Sequence, residues 1–147
     1  MRYQETGQVH MDFHRTTNGT MTYLRTTYGQ EFADEVMRRT AHNVYKGIRD
    51  DLKRGNPEHL LEHWTHFFDR EKGEYRVERE NDVVRFVVTR CPAIAYLKKK
   101  GLDIDPGFCR GTVVLNHALA EDTPFEVTTD VQGDGQCVQT IRRRGAP

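Results

Sequence analysis

Near residue 73 the apolar residues of this chain stop recurring at helical spacing and begin to alternate. Upstream, Leu60, Leu61, Trp64, Phe67 and Phe68 form the stripe of an amphipathic helix. Downstream, Tyr75 and Val77 are interleaved with the charged Arg76 and Glu78. A period of 3.6 places every third or fourth side chain on one face, whereas a period of two suits a strand, and one segment cannot satisfy both. The same switch recurs after Ala120, where a helical stretch gives way to Phe125-Glu126-Val127-Thr128-Thr129. The order is therefore helices, hairpin, helices, hairpin. That order excludes alternating βαβ units and predicts an α+β fold, with an antiparallel sheet of about four strands packed against several helices.

Residues 1–9 carry no pattern and are expected to be flexible, leaving residues 10–147 as a single domain. Phe13, Thr17, Met21, Leu24 and Tyr28 recur at threes and fours, which predicts a helix over 10–28. Asn18-Gly19 weakens this helix or, read differently, turns a hairpin. Gly29 breaks it. Phe32, Val36, Val44, Ile48 and Leu52 then predict one long helix over 30–53, closed by Gly55. Asn56 caps the aromatic helix, with Pro57 in its first turn. Asn81-Asp82 turns the first hairpin, whose second strand is the run Val83-Val84-Arg85-Phe86-Val87-Val88. Pro92 opens a short helix ending at Gly101, and a longer one runs from Pro106 to Ala120. Gly133-Asp134-Gly135 joins the last two strands.

With 22 basic and 22 acidic residues there is no net field to draw nucleic acid or an anionic membrane. The run Arg142-Arg143-Arg144 reads as a solvated tail. No apolar run approaches the roughly 18 residues of a membrane span, and MRYQETGQVH is too polar for a secretion signal. Three cysteines without such a signal fit free thiols in a reducing cytoplasm. The expected partner is a small molecule; self-association into a homo-oligomer stays open.

Chemistry concentrates on those cysteines. Each sits in polar surroundings: Arg90-Cys91-Pro92, Phe108-Cys109-Arg110 and Gln136-Cys137-Val138. Cys109, Thr112 and Asn116 stand at i, i+3 and i+7, on one face of a helix. Cys137 and Gln139 are two apart on a strand and share a face. The thiols of Cys109 and Cys137 and the amides of Asn116 and Gln139 are thus predicted to line one pocket. Cys91, between a strand end and a helix start, is placed to feel backbone amides, although Pro92 removes one donor. His14 and His117 are the candidate acid/base residues, and Trp64 a candidate wall of the ligand site. His59, His63 and His66 share a helix flank, as metal ligands or as an exposed polar edge. Zinc held by the cysteines matches no familiar spacing, so no cofactor is assigned and zinc is kept as an alternative. P-loop, dinucleotide-binding and nucleophile-elbow patterns are missing.

RCPAIAYLKKKGLDIDPGFC, the following TVVLN and the closing GDGQCVQ together resemble the L-2-amino-thiazoline-4-carboxylic acid hydrolase family. The shared pattern is cysteine-proline after a strand, a second cysteine opening a helix, and a glycine-aspartate turn before a third. DFHRTTNGTMTYLRTTYG and EHWTHFFDRE are similar to one branch of that group. Thr112 departs from it, standing where better-known members carry an aspartate. The resemblance implies a hydrolase that opens a small ring containing sulfur and nitrogen. The family also resembles, in outline, the small-molecule-binding domain of the 4-vinyl-reductase type. On this reading Cys109, or else Cys137, is the nucleophile and His14 or His117 the acid/base. Thr112, Asn116, Gln139, Trp64 and Cys91 then bind substrate. A noncatalytic binding module with a pocket lined by thiols and aromatics is the alternative.

Overall fold

A computed structural model describes Gly7 and residues 9–145. The flexible segment expected at 1–9 falls largely on residues 1–6 and 8, which lie outside the described residues. Helix α1 (Asp12–Tyr28) runs unbroken through Gly19, whose missing side chain faces open space. Gly29, at φ 92°, ends it with an N–H···O bond to Arg25 (3.1 Å) and leads directly into α2 (Gln30–Asn43).

The long helix expected over 30–53 is two helices, α2 and α3 (Lys46–Lys53), parted at Val44 and Tyr45. The reason lies in the spacing that suggested one helix. Each step of four residues overshoots a 3.6-residue turn by about 40°, so from Phe32 to Leu52 the stripe rotates by roughly 200°. A straight helix cannot bury both ends. The break lets Ile48 and Leu52 reach the core while Phe32 and Val44 stay exposed.

Asn56 Oδ1 accepts the Glu58 N–H (3.1 Å) at the start of α4 (Glu58–Arg70). Strands β1 (Glu74–Glu80) and β2 (Val83–Arg90) pair antiparallel, and Asn81 supplies the left-handed turn between them at φ 50°. After α5 (Pro92–Lys99) and α6 (Phe108–Leu119) come β3 (Phe125–Gly133) and β4 (Gln136–Arg143). The sheet order is β1-β2-β4-β3, all antiparallel, so β4 lies between β2 and β3. Phe86, fully buried on β2, receives the side chains of α4: its ring lies 5.7 Å from Trp64 and 5.0 Å from Phe68, and it stacks on Tyr75 at 4.5 Å.

The basic run expected to be a solvated tail belongs to the sheet. Arg142 and Arg143 lie in β4, Arg142 pairs with Glu126 (2.9 Å), and Arg143 covers the Phe125 ring. Arg144 Nε donates to Phe125 O (2.8 Å). Strand pairing with β3 supplies partners that the local sequence does not reveal. Among the described residues no helix is long and apolar enough to cross a membrane.

Candidate functional site

The two hairpins and the helices above them enclose two adjoining chambers. The larger, about 280 Å³, is walled by α4 (Trp64, Phe67, Phe68), by Met21 and Met37, and by the α6 face carrying Thr112, Leu115 and Asn116. The smaller, about 120 Å³, holds all three thiols: Cys91, Cys109 and Cys137. Phe68, Phe108, Thr112 and Gln139 line both, so the chambers share one partition. Thr112 is exposed, and the site opens to solvent beside it.

Local structure explains the convergence. Cys109 occupies the first turn of α6, and Thr112, one turn on, follows on the same face. Cys137 and Gln139 alternate inward on β4, registered against Val88 and Phe86 of β2. Cys91 follows β2 as the N-cap of α5, and its N–H donates to Gly135 O (2.8 Å), which fastens the start of α5 to the β3–β4 turn. Gly135 is required there. Its φ is 80°, and a Cβ would stand 3.2 Å from Ile94.

Asn116 and Gln139 form the polar centre. Asn116 is 1% exposed, and its Nδ2 donates to Gln139 Oε1 (2.6 Å) and to Thr129 Oγ1 (2.8 Å). Of the four residues predicted to line one pocket, Cys109, Cys137 and Gln139 share the thiol chamber, whereas Asn116 lines the larger chamber and meets the thiol chamber only through Gln139.

Electrostatics hold the thiols neutral. Burial pushes the Cys91 thiol up, opposed by the backbone amides of Ile94 and Ala93 and reinforced by the Glu71 carboxylate. Burial also raises Cys109, helped by Cys91. Cys137 is pushed up to about 12, first by burial and then by the other two thiols and Asp130. Ionising one of the three makes ionising the next harder. Among the described residues no three His, Cys, Asp or Glu side chains stand in a metal-holding arrangement.

The two expected acid/base histidines do not line either chamber. His117 follows Asn116 by one residue, a rotation of roughly 100° on a helix. Its side chain is 70% exposed and lies beside Glu121 (4.0 Å). His14 is buried and pairs through Nε2 with Glu71 Oε2 (2.8 Å), tying α1 to the end of α4. That carboxylate is the one whose charge reaches Cys91, so His14 stands behind the thiol chamber rather than in it. The imidazole that does line the site is His63, in the larger chamber beside Tyr45 (ring centroids 5.1 Å) and Phe67 (4.8 Å). Burial, with the neighbouring charges of His59 and His66, lowers it to about 4, so it is a neutral ring at physiological pH. The flank it occupies is half-buried, not the exposed edge its spacing allowed. The spacing from His63 to Phe67, four residues on one helix face, was the signal for its position. No protein-family model and no curated protein matches this chain.

Proposed function

We propose that this protein binds one small, predominantly apolar organic molecule across the paired chambers, with the most polarisable part of the ligand against the three thiols. The carrying observation is that Cys91, Cys109 and Cys137, drawn from three different elements, line one chamber that shares a partition with an aromatic one. Concave, mostly apolar sites with a few placed polar groups are the usual form of small-molecule pockets. Neutral thiols and a neutral His63 suit binding without charge.

Trp64 is the single tryptophan and lines the larger chamber, so its fluorescence reports occupancy. Iodoacetamide labelling mapped by mass spectrometry reports the thiols. A fragment that shifts Trp64 emission and slows labelling of Cys109 supports the proposal. Fragments that shift Trp64 yet leave all three labelling rates unchanged confine binding to one chamber and overturn it. Metal analysis of the same sample checks the zinc alternative.

Ring-opening hydrolysis, implied by the family resemblance, is the second reading, and the position of Cys109 in the first turn of α6 favours it. Because burial raises the Cys109 thiol, this reading requires the first-turn amides of α6 or the bound substrate to offset that rise before a thiolate forms. In a 2-amino-thiazoline, Cys109 Sγ would add to the ring carbon between sulfur and nitrogen with its proton passing to the ring nitrogen. The endocyclic C–S bond would break with a proton moving from nitrogen to the leaving sulfur, and water would cleave the resulting S-linked isothiourea to free the Cys109 thiol and a ureido product. Cys109→Ser keeps the side-chain size and should abolish turnover of thiazolines, cyclic amidines and lactams. Full activity in that variant moves the nucleophile elsewhere.

A further inference from the structure

The Asn116–Gln139 pair is more specific than an apolar pocket requires. Both residues are more than nine-tenths buried, both line the larger chamber, and Gln139 also lines the thiol chamber. Asn116 spends its amide nitrogen on Gln139 Oε1 and Thr129 Oγ1. The Asn116 carbonyl oxygen and the Gln139 amide nitrogen take no part in these bonds, which leaves the pair with one acceptor and one donor. Exchanging oxygen and nitrogen in both carboxamides gives the same complement, because whichever pair of atoms bonds internally, one of each kind remains. Polar atoms beside an apolar chamber are best met by a ligand that supplies the complementary donor and acceptor. Around them, the described lining of both chambers contains no lysine, arginine, aspartate or glutamate.

We propose that the ligand is uncharged and presents an adjacent N–H and C=O edge, as in a lactam or cyclic urea, which docks on the Asn116–Gln139 pair while its hydrocarbon part lies against Trp64 and Phe68. This rests on the binding reading above and names its ligand class. A carboxylate entering the same site would lose its hydration without meeting a cation, so anionic analogues are rejected.

The test uses three probes with the whole protein: ε-caprolactam, N-methylcaprolactam, which keeps the carbonyl and loses the N–H, and cyclohexanecarboxylate. Binding is followed by Trp64 fluorescence and by saturation-transfer NMR at millimolar probe. ε-Caprolactam should bind at least about tenfold more tightly than its N-methyl analogue, and the carboxylate should bind more weakly than either. In Asn116→Leu, which keeps the branched shape but removes the carbonyl that receives the lactam N–H, the lactam preference should collapse to near unity. Equal binding of the two lactams, or a tenfold preference that survives in Asn116→Leu as a purely steric effect, overturns the inference while leaving the binding chamber intact. Tighter binding of the carboxylate also overturns it. If none of the probes is detected by either method, the chamber reading fails, and this inference fails with it.

Discussion

The two chambers share a partition but are built in opposite ways. The aromatic chamber takes most of its wall from two helices, α4 and α6, whose contributing residues are a few positions apart. The thiol chamber takes one cysteine each from the junction of β2 and α5, the start of α6 and the start of β4. The first is made by helical period and secured by burial of large rings. The second is made by strand order and secured at the β3–β4 turn by Cys91 N–H to Gly135 O and by the Lys98–Asp134 ion pair. The aromatic wall should therefore govern stability, and the thiol end should be sensitive to backbone geometry rather than to side-chain size.

The largest effect expected is at Trp64. Trp64→Ala removes a 6%-exposed indole packed on Phe86 and should lower unfolding free energy by about 3–5 kcal/mol, read from the urea midpoint at unchanged slope. A shift no larger than that of Cys109→Ser would erase the contrast between the chambers.

Next is pH. His63 titrates at about 4 in the folded protein against 6.5 for the ordinary imidazole. Below pH 6.5 the unfolded chain takes up a proton that the folded chain refuses, so stability is complete above 6.5 and falls as pH drops toward 4. The difference amounts to about 3 kcal/mol across that window. Urea midpoints for the parent and for His63→Gln at several pH values isolate the contribution, because the variant should lose much of the slope. Cys137 acts in the opposite direction: its stabilising effect is full below the ordinary 9.0 and is lost as pH climbs toward about 12.

Gly135→Ala should cost about 1–3 kcal/mol, since it combines a left-handed backbone with a Cβ against Ile94. Gly133→Ala, at φ 88° with open space around it, carries the backbone cost alone and should be milder. Equal thermal shifts for the two would show that the contact with α5 contributes nothing. The smallest effect is at Arg142→Ala. Its ion pair with Glu126 is exposed on both sides, and its loss should change stability by about 0–1 kcal/mol.

Helix and strand existence was readable from period, and Trp64, Leu60 and Leu61 are buried where the stripe placed them. The grouping of Cys109 with Thr112, and of Cys137 with Gln139, followed from the same periodicities. Two kinds of information were not local. Val44 lies on the stripe by spacing yet is exposed, because the cumulative rotation of a four-residue repeat shows only over the whole helix. The entry of Cys91 into the site depends on β4 lying beside β2, a pairing that leaves no mark in either strand. His117 missed the site by one helical position, and His63, read as a surface or metal-binding residue, lines the chamber because α4 is more deeply packed than its polar flank suggests.

The insertion of β4 between β2 and β3 has a consequence for how the protein comes to exist. The β1–β2 and β3–β4 pairs are each local ribbons, able to form early, yet neither encloses a chamber. Joining them requires β4 to find β2 across the whole α5–α6 segment, a long-range step whose entropy must be met before its contacts are gained. Until that happens Cys91 and Cys137 belong to separate ribbons, and their thiols face water. The paired chambers are thus assembled when the sheet closes, and any molecule bound there would act on the closed form alone, favouring the joined sheet over its two halves.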